Sequence, residues 1–161
     1  MGGVTPTLAY VEMNEYLVSV GQVVANATVL ERTAAGVLSQ CLDIDPLLAE
    51  IVAGQMQLAG TLQCIRKIID SCEQTEDVTK VRAWLVTAEQ ARAARNNVIH
   101  QAAFLDDADR VTGFVRRGDV STLTAQDLGD AVNLTLEAVA SGADLLGGHH
   151  AWTIVHVVEG G

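Results

Sequence analysis

From Tyr10 onward, apolar residues return every three or four positions: Tyr10, Met13, Leu17, Val20, Val24, Ala27, Ala34 and Leu38. That spacing keeps one face of a helix apolar and is sustained long enough to read as a heptad-like seam. Its charged position is Glu31. A carboxylate in such a seam is costly unless a cation pairs with it or it lies at an opening. Thr5-Pro6 reads as the start of this helix, because proline at the first helical position gives up an N–H that has no partner there. Asp45-Pro46 repeats the signal and opens a second stripe of Leu48, Ile51, Val52, Met56, Ala59, Leu62, Ile65 and Ile69. Ser71 to Thr75 is short and polar, a turn. A third helix is expected from about Glu76 to Phe104, its broad apolar sector formed by Val81, Trp84, Leu85, Ala88, Ala91, Ala94, Val98, Ala102 and Leu105. Thr124-Ala-Gln-Asp127 has the form of a capping box with Asp in place of Glu. It opens a fourth helix carrying Leu128, Val132, Thr135, Val139 and Leu146, and Gly147-Gly148 stops it.

The stretch LDDADRVTGFVRRGDVSTL between the third and fourth helices is long for a bundle connection, and loops of that length are commonly functional. HHAWTIVHVVEGG follows the double glycine as a short tail whose structure the pattern leaves open: a strand, a docked extension or an exchanged arm. The pattern therefore predicts an all-α protein. It is a four-helix up-and-down bundle over 1–148, with a long loop before the last helix and a C-terminal tail over 149–161. The first seam exceeds what one short bundle needs, and the helix faces are rich in Ala and Gly, so a homodimer is expected.

Composition narrows the function classes. Of 161 residues, 49% are apolar but only 4% are aromatic, which suits close helix packing. The formal charge of −10 argues against a general nucleic-acid-coating protein, which would carry a basic patch or stripe. A local site remains compatible with it. Three cysteines without CxxC spacing read as reduced thiols of a cytoplasmic protein. No signal-peptide pattern opens the sequence, and no membrane span is expected.

One stretch departs from this apolar economy. ARAARNNVIH, Ala91 to His100, sets Arg95, Asn96 and His100 into an alanine-rich helix. On a helical wheel Glu89, Asn96 and His100 share one flank, while Arg95 falls in the apolar sector, about 140° from His100. Read as packing, Arg95 makes an ion pair with a residue such as Glu31, and His100 hydrogen-bonds a neighbouring helix. From Thr75 to Gln101, Lys80, Arg82, Arg92 and Arg95 outnumber Glu76, Asp77 and Glu89 by one charge, whereas the rest of the chain carries −11.

Arg95-Asn-Asn-Val-Ile-His100 resembles the R-x4-6-H motif of the HEPN superfamily, in which a polar residue often follows the arginine. Its context is similar too: late in the third helix of a small all-α bundle, before a loop and a capped last helix. The likeness runs from about residue 8 to 147, with its specificity in those six residues. It implies a homodimer whose two motifs face each other, acting as a metal-independent endoribonuclease, a toxin or defence effector, with no cofactor. His100 is then the general base or acid, Arg95 holds the scissile phosphate, and Asn96 orients the imidazole or the phosphate. Arg92, with Arg116 and Arg117 in the following loop, is expected to add phosphate contacts. The implied partners are RNA and an antitoxin or nucleotidyltransferase. HEPN toxins paired with a minimal nucleotidyltransferase often carry a tyrosine two residues after the histidine, where this chain has Ala102. The alternative is a non-catalytic HEPN-like module that binds a protein partner. His149, His150 and His156 lack a usual metal-ligand spacing and are expected to be an uncommitted tail.

Overall fold

The computed structural model describes residues 10–100, 102–105, 107–108, 110–116, 119–121 and 124–147. Its body is the expected all-α bundle: α1 (Met13–Leu42), α2 (Pro46–Asp70), α3 (Glu76–Ile99) and α4 (Ala125–Gly147). Asp45-Pro46 and Thr124-Ala-Gln-Asp127 do what their start signals require, and Thr75, expected only as part of a turn, adds a further cap. The Asp45 carboxylate accepts from the Leu47 and Leu48 amides at 2.9 and 3.4 Å. Thr75 caps α3 by accepting from the Val78 amide at 3.2 Å. At α4 the Asp127 carboxylate accepts from the Thr124 amide at 2.8 Å, while Thr124 Oγ1 accepts from the Asp127 amide at 3.1 Å. Thr5-Pro6 lies outside the described residues. It does not start α1, because Val11 is extended and exchanges two 2.9 Å backbone hydrogen bonds with Val111, so the helix begins two residues later.

The expected alternation of four legs is corrected by the contacts. Asn26 hydrogen-bonds Thr135 at 3.2 Å, and farther along both helices Gly36 abuts Leu146. Residue numbers rise together, so α1 and α4 run parallel rather than antiparallel. The extra reversal lies inside α2. Gln57 sits at φ 58°, ψ 170°, and Thr61 Oγ1 donates to Ala53 O at 3.5 Å. In a straight helix those residues would be about 12 Å apart along the axis. The chain therefore runs down along α1 through 46–56, turns at Gln57, and returns through 58–70. Arg66–Glu89 at 2.7 Å and Arg82–Asp70 at 2.8 Å then tie the returning half antiparallel to α3.

Gln57 occupies a backbone region that only glycine enters freely, at a cost of about 1–3 kcal/mol for other residues. Gln57→Gly is expected to raise stability by about 1 kcal/mol, the relieved strain less the larger unfolded-state entropy of glycine. A rise in the urea midpoint at unchanged slope checks it, and a fall would show that the turn is not strained.

The break also explains where the second stripe fails. Leu62, Ile65 and Ile69 are buried as expected, but Leu48, Ile51 and Val52 are exposed, and the first half of α2 buries only Ala49 and Ala53. The first seam is likewise rotated before Ala27. Val23 takes the core position there, leaving Leu17 and Val24 exposed, and after Ala27 Leu30 is buried in place of Glu31. The main core joins Leu38, Leu62, Ile65, Val81, Trp84 and Ala138. Trp84 donates its indole N–H to Ala138 O at 3.0 Å. Gly142 makes room for this approach, since a Cβ there would collide with Thr33 and come within 2.7 Å of Trp84 Nε1.

The stretch expected to be the tail of α3 and a loop holds strands instead. α3 ends at Ile99, and β1 (Ala102–Leu105), β2 (Val111–Arg116) and β3 (Asp119–Ser121) form an antiparallel sheet in the order β1-β2-β3. Ala102 and Leu105 thus leave the helical sector assigned to them. The alternation of Val111, Gly113 and Val115 fits a strand, and 106–110 is polar enough to turn. Val111 enters a second core with Val11, Val23, Val98 and Leu128, so the sheet docks at the bundle end where α3 finishes. Among the described residues no helix is long and apolar enough to cross a membrane.

Candidate functional site

The reversal in α2 leaves a gap between the turn, the middle of α1 and the last turns of α3. That gap is an open cleft of about 630 Å³. Arg92, Arg95, Asn96 and His100 line it from α3, Glu31 and Arg32 from α1, and Glu50 and Gln57 from α2. Small residues, among them Ala27, Ala35, Ala53 and Gly54, form much of the rest of its wall. The volume lies within the roughly 300–1,000 Å³ of small-ligand sites.

Arg92 and Asn96 are one turn apart and Arg95 is the next position around the helix, so all three reach the same opening. The wheel had separated Arg95 from His100. That geometry assumed a helix through both, whereas His100 is the C-cap of α3, at φ −96°, ψ 14°, with its amide bonded to Asn96 O at 3.1 Å. The imidazole is exposed at the end of the helix. Glu89, assigned to the same flank, is instead held by Arg66.

Arg95 is half-buried and donates to Asn96 Oδ1 at 3.1 Å. This bond is to a neutral amide, so it orients the guanidinium without cancelling its charge. Among the described residues no ion pair within 4.0 Å involves Arg32, Arg92, Arg95, Glu31 or Glu50. The expected pairing of Arg95 with Glu31 is therefore not formed; Glu31 instead lies exposed at an opening, the other resolution of its place in the seam. With three guanidiniums and two carboxylates the cleft carries a formal excess of one positive charge in a chain of −10.

Neither a family model, nor a curated protein, nor a solved structure matches this chain. The site therefore stands on its own chemistry.

Arg116 lies on β2. Arg117 and the three C-terminal histidines lie outside the described residues. Arg32, Glu50 and Gln57 are site residues that the pattern did not single out. Arg32 had a signal, a cation beside Glu31 in an otherwise uncharged run; Gln57 itself had none, and the weak mark of a break lay in Gly54 and Gly60, three residues to either side. The cysteines are a separate feature. Cys41 and Cys72 are buried, Cys64 half-buried, and none of the three is in a disulfide. Burial, with the nearby Cys72 and Cys64 adding to it, pushes the Cys41 thiol up to about 12, so it stays protonated and unreactive at neutral pH.

Proposed function

We propose that the cleft is the active site of a metal-independent endoribonuclease of the HEPN type, working as a cytoplasmic homodimer with a composite Arg/His site. The observation that carries this reading is the convergence of Arg92, Arg95, Asn96 and His100 on one open cleft, with neither Arg92 nor Arg95 in an ion pair among the described residues. A guanidinium held by a neutral acceptor is available to a phosphate. An exposed imidazole is reachable by substrate and can carry a proton to or from it.

In this mechanism Arg95, with Arg92 one turn away, holds the scissile phosphate in a single strand. His100 accepts the 2′-hydroxyl proton as O2′ attacks phosphorus. The P–O5′ bond breaks, the leaving oxygen takes a proton from His100 of the second copy, and a 2′,3′-cyclic phosphate remains. Imidazole and guanidinium supply both the proton transfer and the charge stabilisation, so no Lewis acid is required. Leu47, Leu48, Ile51 and Val52, exposed beside the cleft on the first half of α2, give the second copy an apolar face to cover. A toxin or defence role, with an antitoxin or nucleotidyltransferase partner, is the biological setting that this reading implies.

The purified protein is expected to cleave single-stranded RNA in EDTA, and His100→Ala is expected to lose at least 100-fold in rate, about the contribution of one general acid–base group. Equal cleavage by the variant removes His100 from the reaction. The same exposed apolar stripe favours a second reading, a non-catalytic interaction module that docks a protein. No cleavage by the wild type, with strong destabilisation of both Arg95→Ala and His100→Ala, selects it.

A further inference from the structure

The cleft has two unlike walls. Its α3 wall offers two guanidiniums, an amide and an imidazole and no carboxylate, while its opposite wall, from α1 and α2, offers both carboxylates, Glu31 and Glu50, beside the guanidinium of Arg32 and the amide of Gln57. Carboxylates beside a phosphate site weaken it for any simple anion. They are tolerated where the ligand brings hydrogen-bond donors of its own. Opposite charges that share a cleft yet make no ion pair among the described residues are arranged for such a ligand. The small side chains between the walls leave room for a flat ring, and the volume admits a nucleotide or two of single strand but no duplex.

Resting on the ribonuclease reading above, we propose that the α1–α2 wall reads the base beside the scissile phosphate and selects guanine. A carboxylate accepts from the N1–H and the exocyclic amino group of guanine together, a two-point contact on the Watson–Crick edge. Uracil offers the same carboxylates a single N3–H flanked by two carbonyl oxygens, so it loses the second donor and meets repulsion in its place. Cytosine and adenine, each with one amino group, fall between. Recognition of this kind belongs to unpaired bases, whose edges are free.

The test compares short oligoribonucleotides that differ only in the base 5′ to the cleaved bond. Wild type is expected to favour guanosine over uridine by roughly tenfold or more in kcat/KM, the scale of one good two-point base contact. Glu31→Gln combined with Glu50→Gln is expected to bring that ratio near unity, because an amide donates to uracil as readily as it accepts from guanine. A parallel binding series uses the same strands with 2′-O-methyl at the reacting sugar, which blocks cleavage. Guanosine-selective binding without cleavage supports base reading and removes the catalytic proposal. Cleavage without base preference, or a preference that survives the double substitution, overturns base reading and leaves catalysis standing. A wild type that neither binds nor cuts any of the strands overturns both.

Discussion

A Trp84→Ala variant is expected to lose about 3–5 kcal/mol of stability, the usual cost of truncating a buried aromatic to alanine. Trp84 is 3% exposed and sits where α3 meets α4. Its ring fills the space that Gly142 leaves open, and its indole N–H is satisfied by Ala138 O. Alanine removes the ring and that hydrogen bond, and the neighbours cannot collapse into the void without shifting α4 along α1, which Asn26–Thr135 and Gly36–Leu146 hold in register. For a chain of this length each kcal/mol moves the melting midpoint by about 2–4 °C, so a fall of roughly 10 °C is expected in a thermal unfolding curve. Val86→Ala, two residues along the same helix at a site 52% exposed, is expected to change stability by no more than about 0.5 kcal/mol. Equal losses in the two variants would mean that α3 does not pack through Trp84.

The parts of this fold that follow from local chemistry were legible in the chain. Asp45-Pro46 and Thr124-Ala-Gln-Asp127 begin helices because a side-chain oxygen within three residues satisfies an amide that the helix itself leaves unpaired. The apolar sector of α3 was readable for a similar reason. Val81, Trp84, Leu85, Ala88 and Ala91 lie on one uninterrupted helix, so a single phase places them all in the core. The second helix was not readable this way. A reversal at Gln57 resets the phase, and glutamine carries no mark of positive φ. From Leu48 to Ile69 the apolar residues look like one stripe, yet only the later ones face the core. The strands were missed because 102–105 continues the helical spacing of α3 by coincidence, and its hairpin pairing with 111–115 lies in cross-strand partners that the spacing of 102–105 does not show.

The site was legible in composition but not in shape. Arg95, Asn96 and His100 stood out as polar residues in an alanine-rich helix. That they share a cleft with Glu31, Arg32 and Glu50 depends on the turn in α2, which glutamine at its centre does not announce. The wheel misplaced Arg95 relative to His100 for a related reason, because helical angles do not extend past the C-cap. Glu31 is the informative intermediate. Its charge in an apolar seam required either a partner or an opening, and the structure supplies the opening.

Arg95→Ala separates the two roles that an arginine in a helical bundle can have. If Arg95 were a packing residue in a buried ion pair, removing it would strand a carboxylate and cost about 3–5 kcal/mol. Instead its hydrogen bond is to the neutral Asn96 amide, on its own helix, and no carboxylate among the described residues pairs with it. Stability is therefore expected to change by less than about 1 kcal/mol, the range for a single intramolecular hydrogen bond. Cleavage is expected to fall by about 10²–10³-fold in kcat, the loss typical of removing one preorganised donor from a developing charge. Arg95→Lys keeps the charge but not the planar fork that grips two phosphate oxygens, so its rate is expected to lie between the two. The discriminating measurement is the pair of values on one preparation, a melting midpoint and a rate on a defined oligoribonucleotide. A large loss of rate at nearly unchanged midpoint identifies Arg95 as a phosphate-binding group. A midpoint lowered by 10 °C or so, about 3–5 kcal/mol, would return it to the scaffold and take the ribonuclease reading with it.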